Sequence, residues 1–214
     1  MKITRLAHAG FVVEANGKRI AVDIGDFTSP GTTAALAKLN AIVASHGHAD
    51  HYTEANVMAA AAPVAAPSDV VALLPRGIKA HTLRLGETLA LAGFDITPTL
   101  ADHGPRLSRP IENYGLVIER DGSRIYYVGD MAVAAPPPAG PFDLVLLSID
   151  GTGFVFNPEQ AAAFIQALGH VGKVVPIHDG DGDEPHHAER FAALAMAFCE
   201  PVMIVPGQTI EVVP

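Results

Sequence analysis

A single cysteine, Cys199, serves the whole 214-residue chain, which leaves neither an internal disulfide framework nor a thiolate-based structural metal site. It follows the apolar run Phe191 to Phe198, where a small buried hydrophobe fits better than a nucleophile. No apolar run approaches the roughly 20 residues that span a bilayer. The opening Met1-Lys2-Ile3-Thr4-Arg5-Leu6 enters a strand-like pattern and has neither the apolar stretch nor the cleavage site of a signal peptide. A cytoplasmic location with no membrane partner is therefore expected. Positive charge is scarce too: 14 Lys and Arg stand against 23 Asp and Glu, a formal net charge of −9, so no overall basic field exists to attract nucleic acid. Internal repeats and low-complexity tails are also missing.

What is present reads as a folded chain. Hydrophobic residues make up 49%, which is enough for a sizeable core, and the expectation is one domain over residues 1–214. Early strand-type runs (3–6, 11–14 and 19–23) include Asn16-Gly17, a hairpin signal because both central positions of a type I′ turn want φ > 0. A short helix is expected over 31–39 with Thr32 or Thr33 as its cap, then a strand over 41–45 and a helix from Glu54 to Ala62 capped by Thr53. A short strand at 63–66 and a helix at 68–74 follow. Further strands are expected at 79–83, 88–91, 94–100, 114–119 and 124–128, with Asp121-Gly122 turning the last pair. The final third alternates strand (144–149), helix (158–168, Asn157 as cap), strand (173–177), helix (187–198) and strand (202–205). Hairpins with interspersed helices predict an α/β fold of two mixed sheets packed face to face, helices outside.

The chemistry concentrates in His46-Gly47-His48-Ala49-Asp50-His51, which follows the strand 41–45, with its apolar run Ala41 to Ala44, directly. Strand ends are where α/β proteins build their sites. An exposed polar loop would also carry such residues, but three imidazoles and a carboxylate within six positions suit a divalent ion far better. The context recurs three times. The run 97–102 delivers His103, 125–128 delivers Gly129-Asp130, and 173–177 delivers His178. Five histidines and two aspartates at four strand exits suffice for two divalent ions, zinc first, with manganese or iron as alternatives.

The series His46-x-His48-x-Asp50-His51, His103, Asp130 and His178 resembles the metallo-β-lactamase-fold hydrolase superfamily over nearly the whole chain. The resemblance implies an αββα sandwich with the metal site at one edge. It implies that His46, His48 and His103 hold a first ion, that Asp50, His51 and His178 hold a second, and that Asp130 bridges them. A finer resemblance, to the compact branch containing ascorbate-phosphate lactonase, rests on Leu6-Ala7-His8-Ala9-Gly10-Phe11 and Val175-Pro176-Ile177-His178. It places His8 near the site, against a ligand or the substrate or in a structural role. The chemistry of a metal-activated water makes Asp50 a candidate to accept a hydrogen bond from it and hand a proton to the leaving group, a role that competes with metal binding, so Asp50 and His8 are the candidate catalytic residues. Met131 departs from the usual Thr after Asp130, and Asp179-Gly180-Asp181 replaces an aromatic-led loop.

Other polar residues carry less. Asp23, ending the third strand, resembles a family position that supports the histidine loop. His81 and His170 read as surface histidines, and His186 and His187 as cap or surface residues. The Asp179 to Asp183 stretch is not a calcium loop, because Glu184 and Arg190 stand where Gly and Glu are required. Arg106 and Arg109 are candidates to grip an anionic substrate group, with a solvated loop as the alternative.

The expected function is hydrolysis of a small ester or lactone, then a phosphodiester, then a β-lactam, by water activated between two ions. The partner is a small molecule, with an anionic one and a homo-oligomer both open. An iron-dependent redox enzyme of the same fold and a non-catalytic metal-binding regulatory protein are the other readings.

Overall fold

The structure is a computed structural model that describes residues 1–36, 38–108, 110–178 and 186–213. Fourteen strands among the described residues form two seven-stranded sheets. The first contains β1 (Lys2–Arg5), β2 (Phe11–Ala15), β3 (Lys18–Val22), β4 (Ala41–Val43), β5 (Val64–Ala66), β6 (Ala80–Thr82) and β14 (Thr209–Glu211), in the order β14-β1-β2-β3-β4-β5-β6. The second contains β7 (Leu89–Leu91), β8 (Phe94–Leu100), β9 (Tyr114–Arg120), β10 (Ser123–Tyr127), β11 (Phe142–Ser148), β12 (Val171–Ile177) and β13 (Glu200–Pro201), in the order β13-β12-β11-β10-β9-β8-β7. Each sheet is antiparallel on one side and parallel on the other, the parallel runs being β3 to β6 and β10 to β13. Both expected hairpins form, with Asn16 and Gly17 at φ 47° and 68° and Asp121 and Gly122 at φ 52° and 80°.

Alternation along the strands sorts side chains into three apolar layers. Between the sheets lie Phe11, Val13, Val22 and Val43 from the first and Ile96, Leu116, Ile118, Ile125 and Leu146 from the second. The intervening residues face outward. Val12, Ala21, Ile42 and Val64 meet the helices α1 (Pro30–Ala35), α2 (Glu54–Ala60) and α3 (Ser68–Val71). On the other side Val117, Tyr126, Val145 and Val174 meet α4 (Pro158–Leu168) and α5 (His186–Ala195). The expected αββα sandwich is therefore the observed architecture. No described helix is long and apolar enough to cross a membrane.

Two local expectations change. Ser29, not Thr32 or Thr33, caps α1: its side chain accepts from Thr32 N, and Pro30 supplies a preset φ for the first turn. Thr33 is buried instead and donates from Oγ1 to Asn56 Oδ1 at 2.7 Å. The apolar run 202–205 is not a strand but the crossing from one sheet to the other. Val202 N still bonds Val174 O in the second sheet, and Ile204 O accepts from the Arg5 guanidinium of the first. The turn at Gly207 then leads into β14, which pairs with β1 and which the sequence pattern did not signal.

Parallel β3 and β4 end at the sandwich edge where β10, β11 and β12 also end. Behind that edge sits Asn56 on α2, buried and saturated: Nδ2 donates to the carbonyls of Ile24, Gly25 and Thr28. Asn56→Ala strips partners from four buried polar groups, and we expect a loss of about 2–4 kcal/mol. The check is a urea unfolding curve, which should show a lower midpoint at unchanged slope.

Candidate metal centre

Seven strand exits and turns converge on one volume. The loop after β4 brings His46, His48, Asp50 and His51, and its turn closes where His48 O accepts from His51 N (3.0 Å) and Tyr52 N (2.9 Å). Gly25 lies directly beneath this turn, since a Cβ there would stand 1.9 Å from the Asp50 carbonyl carbon. Three residues entering the site have left-handed backbones, His8 (φ 56°), Asp23 (φ 48°) and His178 (φ 63°). Such conformations cost about 1–3 kcal/mol in non-glycine residues and persist where surrounding bonds overdetermine them. One of those bonds is His178 N to His8 O, 3.3 Å. Asp130 follows Gly129 (φ 70°), whose missing side chain lets the chain pass Tyr114 O, and Asn113 Nδ2 holds the Asp130 carbonyl at 2.6 Å.

All seven ligand-type residues expected from the sequence come together, and with His8 they form two groups. In the first are His46, His48, His103 and Asp130; in the second are His8, Asp50, His51 and His178. His46 Nε2 lies 3.0 Å from His48 Nδ1 and 3.3 Å from His103 Nε2. Four donors about 2.0–2.1 Å from a tetrahedral zinc stand about 3.3–3.4 Å apart, so these three nitrogens have the spacing of ligands to one ion. Asp130 Oδ2 sits between the groups, 3.2 Å from both His51 Nε2 and His178 Nε2 and 3.9 Å from His46 and His103 Nε2. Asp50 Oδ2 approaches His8, His178 and His51 at 3.2, 3.4 and 3.5 Å. His8 thus belongs with the second group itself.

Hydrogen bonds behind the rings choose which nitrogen faces inward. Asp23 Oδ2 accepts from His51 Nδ1 at 2.8 Å, so His51 Nε2 is left to point at the site. Ser45 Oγ spends its proton on Asp23 Oδ2 (2.6 Å) and therefore accepts from His46 Nδ1 (2.9 Å), which frees His46 Nε2. His103 Nδ1 donates to the Phe154 carbonyl at 3.1 Å, with the same result. His178 Nδ1 faces Asp150 Oδ2 at 3.4 Å. Among the buried side-chain atoms without a hydrogen bond, His51 Nε2, His178 Nε2 and Asp130 Oδ1 lie at this focus. Ligand-type atoms that lack hydrogen bonds and gather at one point fit a divalent cation.

The electrostatics differ between the two groups. Burial, with the neighbouring His51, pushes His46 well below the usual imidazole range, and burial with His103 lowers His48. Both are neutral, as ligands must be. Burial would also lower His51 and His178, but the Asp130 carboxylate overrides it and holds both well above the usual range. Burial raises Asp50 and Asp130, yet the facing histidines outweigh it and both carboxyls stay ionised far below their usual range.

Other expectations resolve individually. Asp23 supports the histidine loop as the resemblance implied, and also accepts from Tyr127 Oη (2.6 Å) on the opposite sheet. Met131 is buried in the second sheet's outer core, its Sδ accepting from Ala135 N, so Asn113 is what anchors Asp130. Arg106 donates to the Thr152 carbonyl. Arg109 and the Asp179 to Asp183 stretch lie outside the described residues. Asp150 was missed although it follows β11 in the same strand-exit context as the others; Tyr127, the last residue of β10, had no local signal.

A family model described as a beta-lactamase superfamily domain matches residues 24–178, which include every ligand-type residue except His8. The chain belongs to that superfamily. Within it, a UPF0173 metal-dependent hydrolase from Pelotomaculum thermopropionicum is 32% identical, covering 99% of this chain and all of that one. Among solved structures, the metallo hydrolase Igni18 from Ignicoccus hospitalis has a TM-score of 0.78 at 23% identity, covering 98% of this chain and 97% of that one. The diiron β-hydroxylase CmlA from Streptomyces venezuelae has a TM-score of 0.74 at 16% identity over 98% of this chain and 54% of that one, a likeness of fold alone.

Asp23→Asn presents four donors with one acceptor oxygen and an unwanted amide. Unfolding should show about 2–4 kcal/mol of lost stability, against about 1–2 kcal/mol for Tyr127→Phe, which removes one bond only. Similar losses for the two variants would show that the four-donor arrangement matters little.

Proposed function

We propose that the chain is a hydrolase with a binuclear site, and that its substrate is a small ester or lactone. The carrying observation is the pair of adjoining histidine–carboxylate groups with Asp130 between them, their tautomers preset by Asp23, Ser45 and the Phe154 carbonyl. His46, His48 and His103 would hold one ion, Asp50, His51 and His178 the other, and Asp130 both. The nitrogen-rich first group favours zinc over manganese, with iron as the competitor.

Bound divalent ions supply acidified water at neutral pH and draw electron density from the bond under attack. The chain's own residues do the rest. Asp50 is the ligand-type carboxylate most open to the cavity, its side chain 27% exposed against 3% for Asp130. It accepts a hydrogen bond from the attacking water and sets the water's direction. His8, 3.2 Å from Asp50 Oδ2 and packed on the His178 ring at 3.8 Å, fixes Asp50 in turn. Water oxygen adds to the acyl carbon as the water gives up a proton, the acyl–oxygen bond breaks, and that proton passes, by way of Asp50, to the departing oxygen.

Elemental analysis of protein supplied with zinc should give about two ions per chain; a ceiling of one would overturn the binuclear reading. Asp130→Asn should remain folded by circular dichroism yet lose more activity than the roughly 10–100-fold typical of residues behind metal ligands. Near-normal turnover in that variant would remove Asp130 from the bridge.

A further inference from the structure

Above the two groups opens a cavity of about 540 Å³ whose floor includes His48, Asp50, Asp130 and His178. Its outer wall is apolar: Phe27 and Phe154, large aromatics that remain 44% and 40% exposed, and half-buried Leu107. Phe27 is held in place by stacking on His8, ring centroids 4.4 Å apart. The charged side chains lining this space beyond the ligand-type set are both acidic, Asp26 and Asp150, and no Lys or Arg among the described residues lines it. Arg106, the candidate anion grip, is turned aside: its guanidinium bonds the Thr152 carbonyl and lies over Gly153, where a Cβ would come within 2.8 Å of Cζ. Two further hollows of about 450 Å³ each lie around His170 and Lys173 and around Met1 and Asn16, and neither contains a His/Asp group of the kind an ion needs.

We propose that this cavity selects an uncharged, apolar acyl chain of medium length, laid against Phe27, Phe154 and Leu107, and that Asp26 and Asp150 exclude chains ending in an anion. The proposal rests on the ester-hydrolysis reading and specifies its substrate. A fully buried methylene improves binding about fourfold, so an extended chain against a half-open wall gains about tenfold or more. A terminal carboxylate in the same place loses water and meets two like charges. Because the wall touches the chain in ground and transition states alike, its contribution falls on KM more than on kcat.

The test uses the full-length, zinc-loaded protein with three 4-nitrophenyl substrates: the acetate, the hexanoate and the monoester of adipic acid, which matches hexanoate but ends in a carboxylate. The expected kcat/KM for hexanoate is about tenfold or more above both others, mainly through KM. Phe27→Ser and Phe154→Ser should each cut the hexanoate-to-acetate ratio about threefold or more, and Phe154→Leu should restore it. In parallel, calorimetric titrations compare hexanohydroxamic acid with the monohydroxamic acid of adipic acid, which share a head group and differ only at the tail. If no ester is turned over, the ester-hydrolysis reading falls while the hydroxamate ratio still decides the cavity's preference. Equal or tighter binding of the acidic tail, binding of neither compound, or ratios unmoved by both serine variants would overturn the proposal.

Discussion

The Asp23 carboxylate lies buried at the joint between the two sheets and accepts from Ser45 N, Ser45 Oγ, His51 Nδ1 and Tyr127 Oη, at 2.6 to 2.8 Å. A charge taken out of water without partners would destabilise the fold by several kcal/mol, so the four donors are a condition of its being there. The donors come from three different parts of the site's support. Ser45 sets the start of the histidine loop, His51 is one of the inward-pointing rings, and Tyr127 comes from the other sheet. One acceptor therefore couples the register of the sandwich to the orientation of two imidazoles, because Ser45 passes the constraint on to His46.

Around that anchor the chain accepts local strain. His8, Asp23 and His178 adopt backbone conformations that side chains disfavour, while Gly25 allows the loop after β3 to press against the Asp50 turn with no room for a Cβ. Asn56 then ties the same loop to α2 through three carbonyls. The strain is confined to strand exits, and regular strands on either side bear its cost through their buried apolar residues. Rigid placement of this kind keeps several lone pairs aimed at a common point, an arrangement that mutual repulsion would otherwise scatter.

The charge balance explains why the site's two halves differ. The first group has three imidazoles and shares one carboxylate, and its His46 and His48 are neutral. Around the second stand Asp23, Asp50, Asp130 and Asp150, and there the carboxylates draw protons onto His51 and His178. A divalent ion entering the second group displaces protons; one entering the first meets lone pairs already free. Toward the cavity mouth the remaining charges, Asp26 and Asp150, are again negative, beside two exposed phenylalanines.

Much of this was legible in the residue order, because hydrophobic period and turn chemistry are local. The hairpins at Asn16-Gly17 and Asp121-Gly122, the helix from Pro158 to Leu168 and the strand from Phe94 to Leu100 follow from short-range rules, and a His or Asp placed after such a strand must emerge at its end. That is how His46, His48, Asp50, His51, His103, Asp130 and His178 declared themselves. β14 did not, since a three-residue strand owes its existence to the neighbour it pairs with. The inward nitrogen of each ring, the position of Asp130 between the groups, the entry of His8 into the second group, the bond from Tyr127 across the sandwich and the turning aside of Arg106 were decided only by the tertiary structure. Each depends on atoms far apart in the chain, whose directions are set when two sheets pack and one carboxylate must find four donors.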